Sequence, residues 1–448
     1  MAQTLRSSIK GALNRSIKGG LLSPAQFRGS TLDLDFAGAK SLKNQIGKKD
    51  VVSFTRASSG TYVGSDGLIK TATTNLLLQS EDFSTSWSST RATISTNTET
   101  APNGTSTADK LIEDNSVSST HLMVQGFTYA SGTTYTISFF AKAAERDQFQ
   151  IRASTQATFP GDAIFNLATG TTVTLNGTSS ITPIGDGWYR CSVTAVAAAN
   201  GTTGTGIYLR DGGSISYTGD GTSGIYVWGA QLEQSDTVGE YVKTTSTINS
   251  APRFDHDPTT GESLGLLMEE SRTNLLLRSE EFDSGSWTSL GLLGFGSGST
   301  ANAITAPDGT LSADLITEDT STAAQHAIFQ IITVSSGATV TFSVYLKAGA
   351  RTFARLIVYQ EGTFSNNFSR FYDLSTGSIG SSLTGGTGVQ NNADITPLGD
   401  GWYRCEITGS VPAATSYQVR INIANSIATT SYTGDGTSGI YLWGAQLE

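Results

Sequence analysis

The sequence predicts an all-β protein with two jelly-roll-like β-sandwich domains, a small interrupted β unit and an N-terminal arm. Three observations predict it. Short apolar runs are separated by Gly, Asn, Asp, Ser and Thr, with 50 Gly but only 9 Pro, which is the punctuation of strands and turns. Several runs alternate apolar and polar residues with period two, as a strand with one face in a core requires. The arrangement also occurs twice in one chain.

Residues 1–30 form the arm. Leu5, Ile9, Leu13 and Ile17 recur every four residues, a narrow apolar stripe on a short helix that Gly19-Gly20 would end. Arg6 and Lys10 lie off the stripe, and no acidic residue precedes Asp33 in a chain of net charge −10. A basic, weakly apolar segment is expected to order only on contact with a more acidic neighbour. So narrow a stripe is poor membrane anchorage.

Residues 31–74 hold strand phrases too short for a domain: Leu32-Asp33-Leu34-Asp35-Phe36, the run from Phe54 to Tyr62, and Gly67-Leu68-Ile69-Lys70. Residues 234–272 supply a linker and the second part of this unit, with Phe54 to Arg56 or Thr61 to Val63 expected beside the chain around Arg253 and Phe254.

The sandwiches are expected over 75–233 and 273–448. Thr74-Asn75-Leu76-Leu77-Leu78 recurs as Thr273-Asn274-Leu275-Leu276-Leu277, and Gly185-Asp186-Gly187-Trp188-Tyr189-Arg190-Cys191 recurs from Gly399. The segment from Tyr217 to Tyr226 recurs from Tyr432 in the same order, so a domain is duplicated. Tyr135, Ile137, Phe139 and Ala141 recur at alternate positions, as do Val340, Phe342, Val344 and Leu346; each set should face a core, with Thr136, Ser138, Phe140 and Lys142, and their second copies, on the other face. The closing run should place Tyr226, Trp228, Ala230 and Leu232 on one face. Cys191 and Cys405 stand at equivalent places and are expected as buried free thiols rather than a disulfide.

Composition excludes several function classes. An acidic chain with pI near 4.9 is a poor nucleic-acid binder. No apolar run reaches the roughly 18 residues of a membrane span. His121, His256 and His326 lack partners at catalytic or metal-ligand spacing and read as structural; no catalytic residue is singled out. All 6 Trp pair across the copies inside framework motifs, so packing is the expected role. Aromatics that could stack on a sugar are Phe140, Phe149, Tyr345, Tyr359 and Phe364. Of these, Phe140 and Tyr345 face away from the expected core, and either line a groove or pack under a covering strand. Glu81 with Glu233, and Glu281 with Glu448, stand at the ends of the modules. They are candidates for a structural Ca²⁺ if first and last strands are neighbours.

The phrases 54–62, 67–70 and 251–270 resemble a segment of tailed-phage virion proteins, especially those of marine cyanophages. There they run nearly consecutively; here the first sandwich intervenes. The repeats, through 75–83 with Trp87, 101–109, 185–191 and 225–233 and their second copies, are similar to phage-borne carbohydrate-binding-like modules. The resemblance implies a non-enzymatic virion fibre, spike or tail-associated protein. Leu5, Arg6, Ile9, Lys10, Leu13 and Ile17 would dock on other virion proteins, and the sandwiches would contact host-surface polysaccharide. A homotrimer is the candidate assembly. The alternatives are a head-decoration or baseplate component that binds only virion proteins, and a polysaccharide-degrading enzyme.

Overall fold

The computed structural model describes residues 34–43, 54–270, 272–293 and 300–448. The arm residues Leu5 to Ile17 lie outside that range. Strands, turns and bends make up the described residues, with no helix among them. The described residues divide into two compact units: 54–60 with Thr71–Pro252, and 34–43 with Thr61–Lys70 and Arg253–Glu448. Each holds one copy of the repeat.

The first copy is two six-stranded antiparallel sheets. One runs in the order Thr171–Asn176, Asp162–Asn166, Gln148–Ala153, Gly201–Arg210, Leu122–Tyr129 and Ser88–Thr90. The other runs Thr178–Gly185, Trp188–Val196, Thr134–Ala143, Gly224–Glu233, Ala108–Glu113 and Ala92–Glu99. Phe149, Ile151, Phe165 and Ile207 of the first meet Phe139, Cys191, Val193 and Ile225 of the second in one core, all fully buried. Each such large side chain withdrawn from water is worth about 1.5–3 kcal/mol. The second copy repeats the plan, with Leu356, Val358, Phe368 and Ile421 facing Phe342, Val344, Cys405 and Ile440. The alternating sets starting at Tyr135 and Val340 all point into these cores, and both cysteines are buried and unpaired.

The closing strand departs from simple alternation. Ile225, Val227, Ala230 and Leu232 face the core, whereas Trp228 joins a separate cluster on the other side, with Tyr226 packed against it. The pairing with Thr134–Ala143 shifts register between Trp228 and Gln231, and Gly229 sits at φ +59°. A bulge at a left-handed glycine inserts one residue and reverses the phase of everything beyond it. Gly444 repeats this at φ +59°.

The bulge explains the repeated Thr-Asn-Leu-Leu phrase. A bulge leaves backbone groups without ladder partners, and buried groups of that kind must find others. The fully buried Asn75 amide supplies them. Its Nδ2 donates to the carbonyls of Ala230 (2.8 Å) and Val242 (2.9 Å). Its Oδ1 accepts from the amides of Leu77 (3.1 Å) and Leu232 (3.2 Å). Asn274, at an exposed position, makes three of these four bonds, with Ala445, Leu276 and Leu447.

The outer face of each Trp-bearing sheet is covered. In the first copy Tyr241 packs on Phe140 and Trp228. In the second, Ile69 lies with Trp402 and Trp443, and its amide donates to the Pro307 carbonyl. Of the two stretches expected as a small β unit, Thr61–Val63 does lie beside the chain around Arg253 and Phe254 in the second unit, whereas residues 54–60 and 71–74 belong with the first sandwich. Ser250 and Asn249 pair with Thr74 and Asn75 in the first unit. In the second, Arg253 Nη1 donates to the Thr61 carbonyl (2.7 Å), and the Val63 amide to Asp255 Oδ1 (2.9 Å).

Candidate binding surface

Strand alternation sends every second residue to the face opposite the core. On the second copy's sheet without tryptophans, Ala354, Leu356 and Val358 point inward, so Arg355, Ile357 and Tyr359 point outward. On the neighbouring strand Tyr417, Val419, Ile421 and Ile423 are inward, which leaves Gln418, Arg420 and Asn422 outward. The register lines these up in rows. Asn422 stands beside Arg355 and Phe371, and Phe329 beside Arg420, Ile357 and Ser369. Gln418 stands beside Tyr359 and Asn367.

The arginines lie across this face. The Arg420 guanidinium is 5.1 Å from the Phe329 ring centroid and 5.2 Å from that of Tyr359, within cation–π range. It donates to Gln325 Oε1 (3.0 Å) and Gln418 Oε1 (2.5 Å). Arg355 is 5.2 Å from the Phe371 ring and donates to Ser369 Oγ (2.8 Å). Both residues are only 9% exposed. Burial pulls both guanidiniums below the ordinary arginine value, and the positive charge of Arg420 adds to the shift of Arg355. For Arg420, Tyr359 and Glu361 oppose it. The Nε of each arginine and Oδ1 of the fully buried Asn422 have no hydrogen-bond partner within the protein.

The matching face of the first copy is chemically different. Arg210 Nη1 donates to Gln150 Oε1 (2.5 Å), and Gln150 and Gln156 both donate to the buried Asp162. Arg152 lies 5.4 Å from the Tyr208 ring, and Ser154 and the Tyr208 hydroxyl are 3.0 Å apart. This face carries its own carboxylate.

The sequence-chosen aromatics divide by the face they occupy, since Phe140 and Tyr359 are both 8% exposed. Phe149 is fully buried and cannot touch a ligand, because its position has inward parity. Phe140, 8% exposed, is closed in by Trp228, Tyr241 and the Arg190 guanidinium. Tyr345, half-buried, packs on Trp443 at 5.3 Å; both therefore pack under a cover. Tyr359 lies on the outer face described above, with Phe364, half exposed, edge-on to it at 5.7 Å.

The carboxylates considered for Ca²⁺ all have donors within the protein. Among the described residues no three His, Cys, Asp or Glu side chains gather as metal ligands. Each is already answered by a protein donor: Glu81 by Lys243 (2.6 Å), Glu233 by the Gly239 amide (2.9 Å), Glu281 by Arg278 (3.1 Å) and Glu448 by Gln446 (2.9 Å). All 6 Trp are at most 9% exposed, and each indole donates within its own module, as Trp188 does to the Thr100 carbonyl. His121 and His326 bond the carbonyls of Arg91 and Gly291 and lie against Tyr217 and Tyr432.

The sequence reading missed Arg355, Arg420, Gln418 and Asn422, and Gln150, Arg152, Asp162 and Arg210. A signal existed: along paired strands of the two copies the inward residues stay apolar while the outward ones change type.

No protein family and no curated protein matches the chain. Solved structures do. The N-terminal CBM22-1-CBM22-2 tandem domain of a Paenibacillus barcinonensis protein matches at 11% identity and TM-score 0.24, over 84% of this chain and 98% of that one. The enzymatically active domain of tailspike protein 4 of bacteriophage CBA120 matches at 15% identity and TM-score 0.23, over 39% of this chain and 21% of that one.

Proposed function

We propose that this chain is a non-catalytic, glycan-binding component of a bacteriophage virion, docked through residues 1–30 and presenting the outer faces of its two sandwiches to host-surface polysaccharide. The observation that carries the binding part is the second copy's outer face, where planar amides, guanidiniums and aromatic rings stand in register beside the half-exposed Phe364. Flat apolar rings for sugar faces and a few oriented polar groups for hydroxyls make a site of the usual ligand type. The virion part rests on the resemblance of the phrases around 54–70 and 251–270.

The test is retention of the full chain on host-surface polysaccharide, with Tyr359→Ala and Phe364→Ala as variants. Each should weaken retention about tenfold, the order of one lost aromatic contact. Absence of retention on any glycan would favour a component that binds only virion proteins. Release of reducing ends would make the protein an enzyme.

A further inference from the structure

The two sandwiches share a framework, so their outer faces can be compared position by position. The buried pair Glu113–Arg146 corresponds to Glu318–Arg351. From it the register runs Gln150 to Arg355, Arg152 to Ile357 and Ser154 to Tyr359 on one strand. Across the sheet, Ile207 beside Ile151 corresponds to Ile421 beside Leu356. This places Gly206 opposite Arg420, Gly204 opposite Gln418 and Tyr208 opposite Asn422. Asp162, which pairs with Arg152, corresponds to Ser369, which pairs with Ile357.

The exchange is directional. The first face holds Arg152 and Arg210 together with its own carboxylate, Asp162. The second loses that carboxylate to Ser369 and carries Arg355 and Arg420. Among the described residues no ion pair includes either of these two arginines. Glu361, at the hairpin end, acts on Arg420 through space. Two guanidiniums, each nine-tenths buried, stand on one face, and beside them Oδ1 of the fully buried Asn422 has no hydrogen-bond partner within the protein. Buried charge without an ion-pair partner is costly and marks a site that an anion would suit.

We propose that the Arg355–Arg420 face of the second sandwich takes an anionic polysaccharide, its carboxylate or sulfate groups received by the two guanidiniums and its sugar rings by Tyr359 and Phe364. This rests on the glycan-binding reading and sharpens it to a ligand class. The guanidinium fork suits oxyanions and stays charged through the physiological range. Long-range charge cannot supply the attraction, because the whole chain carries −10 and repels a polyanion; binding has to come from this local patch.

The experiment uses the full chain with polygalacturonate, dextran sulfate and neutral dextran as probes. Polygalacturonate separates carboxylate recognition from the sulfate recognition that dextran sulfate reports, and retention on either supports the proposal. Arg420→Gln and Arg355→Gln should each weaken polyanion retention about tenfold or more, as for loss of a charge-assisted hydrogen bond. Arg278→Gln removes the same charge from a residue paired with Glu281 at the surface and should leave retention unchanged. Melting curves check each variant; if Arg420→Gln does not fold, Arg355→Gln and Arg420→Lys carry the test. Arg420→Lys should recover only part of the affinity. Equal loss in Arg278→Gln, or polyanion retention that neither arginine variant alters, overturns the proposal. Retention on neutral dextran that Tyr359→Ala abolishes and Arg420→Gln spares would sink the anionic assignment while leaving glycan binding intact. Retention on none of the probes or host polysaccharides would remove both.

Discussion

Glu318→Gln tests the interaction that ties each sandwich together, and the duplication supplies its own control. Glu318 is fully buried and receives the Arg351 fork at 2.9 and 2.5 Å, the Tyr432 hydroxyl at 2.6 Å and the Asp435 amide at 2.9 Å. Glu113 repeats this with Arg146, Tyr217 and Asp220. Removing one partner of a buried pair costs about 3–5 kcal/mol, because the other charge is left unanswered. Arg351 is 22% exposed, which puts the loss at the lower end, about 3 kcal/mol. For a unit of this size that is a fall of roughly 6–12 °C in Tm. Glu113→Gln should cost less, because Arg146 keeps Asp211 at 2.9 Å whereas Arg351 has only Asp435 at 3.8 Å. Calorimetry of the full chain should show each substitution lowering one transition and sparing the other. Replacing Arg351 by Met together with Glu318→Gln should recover much of the loss. Equal shifts of both transitions, or a change below about 1 °C in either variant, would refute the reasoning.

Asn75→Ala should destabilise the first sandwich by about 2–4 kcal/mol in urea titration, since the fully buried amide bonds the Ala230 and Val242 carbonyls and its loss strands them. Glu113 and Glu318 titrate below the ordinary value, because the arginine fork and the tyrosine hydroxyl outweigh the burial that pushes them up. Their contribution is therefore present above about pH 4.5 and lost as pH falls through the folded values. Asp109 and Asp314, raised by burial, act oppositely and lose stability as pH rises. Melting from about pH 6 to about pH 3 should show a steeper acid limb in the native chain than in the double Glu→Gln variant. Deleting residues 1–30 should abolish incorporation into particles, read by gel, and leave both melting transitions in place.

The sandwich plan was legible because inward positions repeat with period two in both copies, as from Tyr135 and from Val340. The closing strand was not, because Ile225 to Leu232 is apolar at nearly every position, so a one-residue bulge leaves no gap in the pattern. Only the paired glycines Gly229 and Gly444 marked it. The binding face was missed for a related reason. Aromatic type was followed instead of parity, which selected the inward Phe149 and passed over the outward Gln150 beside it. Arginines are rare on buried surfaces, yet strand parity alone puts Arg355 and Arg420 on one face. Sharing of the short strands between two bodies was not readable either, since Ile69 finds its apolar partners in Trp402 and Trp443, far away in sequence.

The Asn75 lock bears on how such a chain arises. Its side chain joins the first residues of the sandwich to Ala230 and Leu232 in the last strand, so the place where the backbone comes in and the place where it goes out are one amide apart. A body with adjoining ends can be spliced into the loop of another polypeptide without stretching that loop, and copied again without rebuilding its host. The sequence between Lys70 and Arg253 has the character of such a cassette. Exchange of one cassette for another would change the outer faces that the chain presents while every flanking strand keeps its neighbours.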